Sequence, residues 1–352
     1  CVGMEAEGRV PRTGADDGPQ RHQRKLLENG VRLSKKALIT GVTGQDGTYL
    51  SQQLLADGWD VWGTVQPSTP ATNTLPDGHA IPVELSDPST CKAVVARVEP
   101  DVIFHFAGIS SVAYSWDNPV ETALVNGISV VSLAEELLQL QERTGTVRRL
   151  VNASSAEIFA GSGKSPQNEQ TRIVPTSPYG TSKAFSHHMV QVFRTRGLHA
   201  SNAIFYNHES PQRPTRFVTR KITAAAAAIA DGRQSSLELG NLDARRDWGW
   251  APDYAHAARL IAAHADAGDY VIATGEAHSV RDFVDAAFRA AGIADWSPLV
   301  SSSDAYQRPT DSAEMVGDAS KAHRVLGWRP TKTFNDVVAA MVQHDIALLA
   351  DR

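Results

Sequence analysis

Residues 152–161 read NASSAEIFAG, which places two serines and a glutamate at the end of an apolar run. A carboxylate is costly to keep ionised among apolar neighbours. Glu157, two residues past Ser155, therefore raises the question of which reaction needs one there. Downstream, SPYGTSKAF carries Tyr179 and Lys183 four residues apart, hence on one face of a helix. An ammonium beside a phenol favours the phenolate and draws a pKa of about 10 toward neutral, so Tyr179 is expected to accept a proton. Upstream, TGVTGQDG sets Gly41, Gly44 and Gly47 between a short apolar run and a helical one. Glycines in that place let the backbone turn tightly and approach a pyrophosphate held by helix N-terminal amides. The pattern is that of a dinucleotide site, with a merely structural turn as the alternative.

Two further stretches bear on ligands. Arg213, Arg216, Arg220, Lys221, Arg245 and Arg246, within YNHESPQRPTRFVTRKI and LGNLDARRDWGWAPDY, supply donors suited to a diphosphate, though any one of them can equally be a solvated surface cation. The second strand ends in VQPSTP. Neither the acidic residue that bonds the ribose of NAD nor the arginine that accommodates the 2'-phosphate of NADP stands at Gln66 or Pro67. The missing carboxylate removes a repulsion, so NADP is favoured and NAD remains admissible. The 12 histidines show no paired ligand spacing, and no metal site is expected. His187 and His188 are adjacent, cannot share a helix face, and read as surface or packing residues.

The elements that must hold these residues alternate. KALITGV (36–42), DVWGTV (60–65), IPVEL (81–85), DVIFHFAG (101–108) and RRLVNAS (148–154) are nearly continuous apolar runs, as in a parallel sheet covered on both faces. Between the last two, Leu124, Val125, Ile128, Val131, Ala134, Leu137 and Leu138 recur at three- and four-residue spacing, which predicts an amphipathic helix. Strands alternating with helices predict an α/β, doubly wound sheet. Past residue 205 the texture changes to isolated strands (SLELG, DYVIAT) and helices over 224–228, 279–291 and 334–350.

Length and composition set the frame. The 352 residues with 42% hydrophobic content suit about two domains. The spacing predicts a dinucleotide-binding part over 33–205 and a smaller, interleaved substrate-binding part over 206–352. The polar, Gly-rich residues 1–32 are expected to be disordered, and translation is expected to start near Val31 or Leu33. A net charge of -5 argues against general attraction to nucleic acid or anionic membrane. Two cysteines make no disulfide framework and suit a reducing, cytoplasmic setting. No apolar run approaches the 18 to 20 residues, roughly, of a membrane span.

From about Lys35 onward the chain resembles the GDP-mannose 4,6-dehydratase family of the extended short-chain dehydrogenase/reductases. The resemblance is carried by ALITGVTGQDGTYL, SPYGTSKA, NHESPQRPTRFVTRKI, LGNLDARRDWGWAPDY, VIATGEAHSVRDFV and LGWRP. It implies a Rossmann-type sheet with a smaller C-terminal nucleotide-sugar-binding domain. It implies Ser155, Glu157, Tyr179 and Lys183 as catalytic residues, and Gly41, Gly44, Gln45, Asp46, Gly47, Asp87, Tyr179 and Lys183 as contacts of NADP. Asn207, Lys221, Arg246 and Arg308 are implied as contacts of GDP-mannose, in a homodimer or homotetramer. The implied reaction oxidises sugar C4, loses water across C5 and C6, and returns hydride to C6, which is why a second base is needed at Glu157. Three departures stand out: Gln66 and Pro67 replace an arginine pair, the loop to His79 is shorter, and Ala156 and an extra Ala160 flank Glu157 and Phe159. The competing readings are another nucleotide-sugar dehydratase, epimerase or 4-keto reductase of the same fold, or a non-catalytic dinucleotide sensor.

Overall fold

The computed structural model describes residues 35–69, 75–303 and 314–350. The expectations for residues 1–32 and for Arg308 lie outside the described residues. The chain lays down β1 (Lys36–Thr40), β2 (Asp60–Val65), β3 (Ala80–Pro82), β4 (Val102–His105), β5 (Arg149–Ser155) and β6 (His199–Phe205). It then passes through the short strands β7 (Asn207–Glu209), β8 (Leu237–Leu239), β9 (Arg245–Arg246) and β10 (Trp248–Trp250) before β11 (Asp269–Ile272). The strands β12 (His278–Ser279), β13 (Val300–Ser302) and β14 (Glu314–Met315) follow.

Seven strands form one parallel sheet in the order β11-β6-β5-β4-β1-β2-β3. The order reverses between β1 and β4, and ligands of such sheets bind outside the strand ends at that reversal. Side chains alternate across the sheet. Ile39 enters a core with Leu50, Leu54, Tyr254 and Ile261, whereas Leu38 enters the opposite one with Val95, Leu133 and Val190. Helices Gln45–Ala56 and Ala251–Ala263 thus cover one face, and Pro88–Val98, Ser129–Thr144 and Pro178–Thr195 the other. Each fully buried Leu or Ile contributes roughly 1.5–3 kcal/mol.

A third core joins helices Val218–Ala230, Val280–Ala290 and Phe334–Ala350 through Ile222, Phe283, Val338 and Met341. The short strands pair locally: β7 with β10, β9 with β12 and β14, and β8 with β13. The amphipathic helix expected around Leu124 to Leu138 forms, but a π turn at Leu124–Ile128 separates Pro119–Ala123 from Ser129–Thr144. The extra residue in that turn shifts the helix phase, so Asn126 and Gly127 are buried while Leu124, Val125 and Ile128 are only half-buried. The continuous helical stretch Pro119–Thr144 is long and apolar enough to cross a membrane by length and composition alone, but Glu121, Glu135, Glu136 and Glu142 interrupt it and more than half of its most apolar part is buried. It packs in the second core through Val130, Leu133, Leu137 and Leu140.

Candidate active site

β1 ends in the glycine turn. Gly41 adopts φ +70, a backbone shape that L side chains rarely take, and a Cβ there would lie 2.9 Å from the Cα of Ala107, just past the end of β4. A Cβ at Gly47 would lie 2.3 Å from the carbonyl oxygen of Gly41, so only glycine lets the helix approach this closely. Gly44 is the N-cap of helix Gln45–Ala56 and brings no side-chain acceptor. The first-turn amides therefore have no side-chain cap and suit a pyrophosphate. At the end of β2, Gln66 and Pro67 are exposed and uncharged.

Next to this turn, β4, β5 and β7 open into a cleft of about 730 Å³ lined by Asp46, Gly108, Ser155, Glu157, Tyr179 and Lys183. Asn207, Arg213, Arg216, Lys221 and Arg246 line its other side. Ser155 is the last residue of β5, and the 3-10 turn Ala156–Phe159 carries Glu157 back toward it, so that the Glu157 amide donates to Ser155 Oγ at 3.2 Å. Ser177 caps helix Pro178–Thr195, accepting from Gly180 N at 3.0 Å, and Ser115 Oγ accepts from Tyr179 N at 3.1 Å. Gly180 is required for the close approach, since a Cβ there would meet the Glu157 carbonyl oxygen at 2.8 Å.

The electrostatics correct one expectation. Burial pushes the Tyr179 phenol up to about 12, while the hydrogen bond with Ser155 and the charge of Arg213 pull it down. Lys183 Nζ donates to Ala153 O at 3.0 Å, and burial depresses the lysine pKa to about 8. Asn126, which sequence reasoning passed over, fixes the loop after β4. Its Oδ1 accepts from Ile109 N at 2.8 Å and its Nδ2 donates to Ile109 O at 3.0 Å and Ser182 Oγ at 3.2 Å. The interruption of its helix by a π turn was the only available signal, and it is not visible in residue spacing.

The remaining residues divide. Gln45 donates to His208 O at 3.0 Å and accepts from Ser210 Oγ at 2.8 Å, and Asp46 Oδ1 lies 2.9 Å from His208 Nε2. The first helix is thereby tied to the NHES segment. Burial opposes both charges of that pair, but their mutual attraction and hydrogen bond leave Asp46 below the usual carboxylate range and His208 above the usual imidazole range. Asp87 caps helix Pro88–Val98, accepting from Ser89 N at 2.8 Å, and does not line the cleft. Of the six cations expected to face a diphosphate, Arg220 instead binds the buried Asp345 through Nε at 3.1 Å, and Arg245 is exposed and pairs with Glu314 at 3.2 Å. Arg213 is held by Glu209 at 3.2 Å and lies 3.8 Å over the ring of Phe217. Among the described residues no group of three metal-ligating side chains occurs.

Residues 38–341 match a family model described as GDP-mannose 4,6 dehydratase. A GDP-mannose 4,6-dehydratase of Sordaria araneosa is 39% identical over 90% of this chain, which spans 62% of that protein. GDP-mannose 4,6 dehydratase 1 of Arabidopsis thaliana is 39% identical, covering 90% of this chain and 91% of its own. Among solved structures, the UDP-glucose 4-epimerase of Thermus thermophilus in complex with NAD superposes with a TM-score of 0.75 at 26% identity, over 88% of this chain and 98% of its own.

Proposed function

The chain belongs to the GDP-mannose 4,6-dehydratase family, and from that premise we propose that the cleft converts GDP-mannose to GDP-4-keto-6-deoxymannose. The observation that carries this reading is the meeting of two proton-transfer groups in one cleft: the Ser155–Tyr179 pair and the carboxylate of Glu157, one 3-10 turn apart. An epimerase or 4-keto reductase needs only the first. A nicotinamide dinucleotide held by the glycine turn beside Tyr179 and Lys183 would supply the hydride chemistry that the side chains lack.

Tyr179, with Ser155, takes the proton of the O4 hydroxyl. Its phenol is neutral in this arrangement, so ionisation near neutral pH needs positive charge nearby, and the chain offers the Lys183 ammonium and the Arg213 guanidinium. Once C4 is a ketone, the proton on C5 is acidic. Glu157 removes it and passes it to the departing C6 hydroxyl, which leaves as water, and the proton taken from O4 balances the one that C5 regains when hydride is added at C6. Arg216, Lys221 and Arg246 face the diphosphate, and Asn207 on β7 orients the sugar beside them. The glycine turn holds the dinucleotide, with Gln45 and Asp46 fixing that turn to the NHES segment. With no carboxylate at Gln66 or Pro67, NADP is held at least as tightly as NAD; titrating both into cofactor-free protein checks this, and a clear NAD preference refutes it. Exposed Trp116, Val120, Phe185 and Val192 on the helices beside the cleft support pairing of two copies, and a reducing cytoplasmic setting fits the two cysteines.

Glu157→Gln tests the reading. The variant should still oxidise C4, accumulate reduced nicotinamide and stall. Exchange of the C5 proton with deuterated solvent should drop by roughly 100 to 10,000-fold, the usual contribution of a general base. Loss of water within a few-fold of wild type would show that the carboxylate is not the base.

A further inference from the structure

Helix Pro178–Thr195 carries polar residues beyond those the reaction uses. Tyr179, Lys183, His187, Gln191 and Arg194 recur at spacings of four and three, so they share one face. That face looks onto the sheet, where Lys183 and His187 are buried. Tyr179 bonds Ser155, and Lys183 donates to Ala153 O at 3.0 Å. His187 Nδ1 lies 3.0 Å from Ser154 Oγ. Gln191 Nε2 donates to Asp269 Oδ2 at 2.8 Å and Arg194 donates to Asp269 Oδ1 at 2.6 Å. From β6, Asn202 Nδ2 donates to His187 O at 3.1 Å and to Asp269 Oδ1 at 2.9 Å.

The tautomer of His187 follows from its neighbours. Gln191 Oε1 faces His188 Nδ1 at 3.2 Å, which leaves Gln191 Nε2 against His187 Nε2 at 3.2 Å. An amide nitrogen only donates, so His187 Nε2 accepts and its proton sits on Nδ1, directed at Ser154. Burial, the largest influence on this ring, holds its pKa near 4, which agrees with a neutral imidazole. The Ser154, His187 and Asp269 trio is no nucleophilic triad, because Ser154 and His187 are only 3% and 4% exposed.

We propose that this stripe is a register lock for the catalytic helix, with Ser154, His187, Gln191 and Asp269 as positioning residues that fix its rotation and slide over β5. The inference rests on the reading of Ser155, Tyr179 and Lys183 as the reacting set. Apolar contacts are non-directional and let a helix turn or slip by repacking, whereas hydrogen bonds weaken steeply off their axis. A misplacement of about 1 Å can lower a rate about 100-fold, so the lock acts on the chemical step.

Three variants test it with GDP-mannose as substrate. His187→Phe keeps a buried planar ring and removes both ring hydrogen bonds; His187→Asn restores a donor near the place of Nδ1; Gln191→Met breaks the outer rung at a half-buried position. The Phe and Met variants should each lose about tenfold or more in kcat with KM changed less than about twofold, and the Asn variant should recover most of the loss. A kcat near wild type in both, parallel changes in KM, or an Asn variant no better than Phe overturns the proposal. Should His187→Phe not fold, the Met and Asn variants decide alone. If wild-type protein leaves GDP-mannose untouched, the functional reading fails and hydrogen exchange still judges the lock. Amides of the first turns of helix 178–195 should then exchange selectively faster in Gln191→Met, and unchanged exchange overturns it.

Discussion

On the proposed reading, Lys183 is the residue whose state sets the pH range of the cleft. Burial brings its pKa down to about 8, below the usual lysine value, so its ammonium is present under neutral conditions and lost as pH rises through that value. Since the positive charge favours the Tyr179 phenolate, kcat/KM, which reports the free enzyme, should fall as pH climbs past about 8. Lys183→Arg keeps its charge throughout, so in that variant the alkaline limb should move up even if the maximum drops. An alkaline limb unchanged by the substitution would show that another group titrates there. Which cations serve the cleft is also decided residue by residue. Arg246 and Arg220 look alike in sequence, but Arg220 finds Asp345, 125 positions away, and so leaves the ligand side.

Helix Pro178–Thr195 and the Glu157 turn show what an element contributes. Gly180→Ala would gain about 1 kcal/mol of helix propensity in open space. Here the added Cβ meets a backbone carbonyl at 2.8 Å and Pro175 Cβ at 3.2 Å, so the helix must move off the turn. The expected outcome is a kcat lower by about tenfold or more with the thermal midpoint little changed; full activity would show that the turn yields instead. Elements with a local signature were legible in the sequence. The glycine turn, β1, β2, β4, β5 and the Tyr179 helix lie where their apolar runs and spacing place them. β6 was not read as a strand, because His199, Ser201 and Asn202 interrupt its apolar run. Ser201 and Asn202 are buried and His199 half-buried against distant partners, as Asn202 is on Asn152 and Asp269. Asn126 and the pairing of Asp46 with His208 escaped for the same reason: contacts made across the fold leave no mark in spacing. The upward shift of the Tyr179 phenol was not legible, because spacing places Tyr179 and Lys183 on one face without saying how deeply each is buried.

At the scale of the whole molecule, the third core is held together by more than apolar contact, because the buried Arg220–Asp345 pair ties two of its helices. It links helix Val218–Ala230 to the C-terminal helix, with side chains 7% and 5% exposed. Breaking a buried pair from one side leaves an uncompensated charge and costs about 3–5 kcal/mol. Asp345→Ala should therefore lower the urea midpoint accordingly, and a shift equivalent to less than about 1 kcal/mol, the level of a surface pair, would show that water reaches the site. A different consequence follows from the position of β11. It pairs with β6 at the sheet's edge, yet the chain reaches it only after β7 to β10 and helix Ala251–Ala263. During synthesis at about 5–20 residues per second, the outer edge of β6 emerges from the ribosome several seconds before its partner. An open strand edge invites pairing with other chains. The nascent sheet is thus one strand short for several seconds, with the edge of β6 open until β11 arrives.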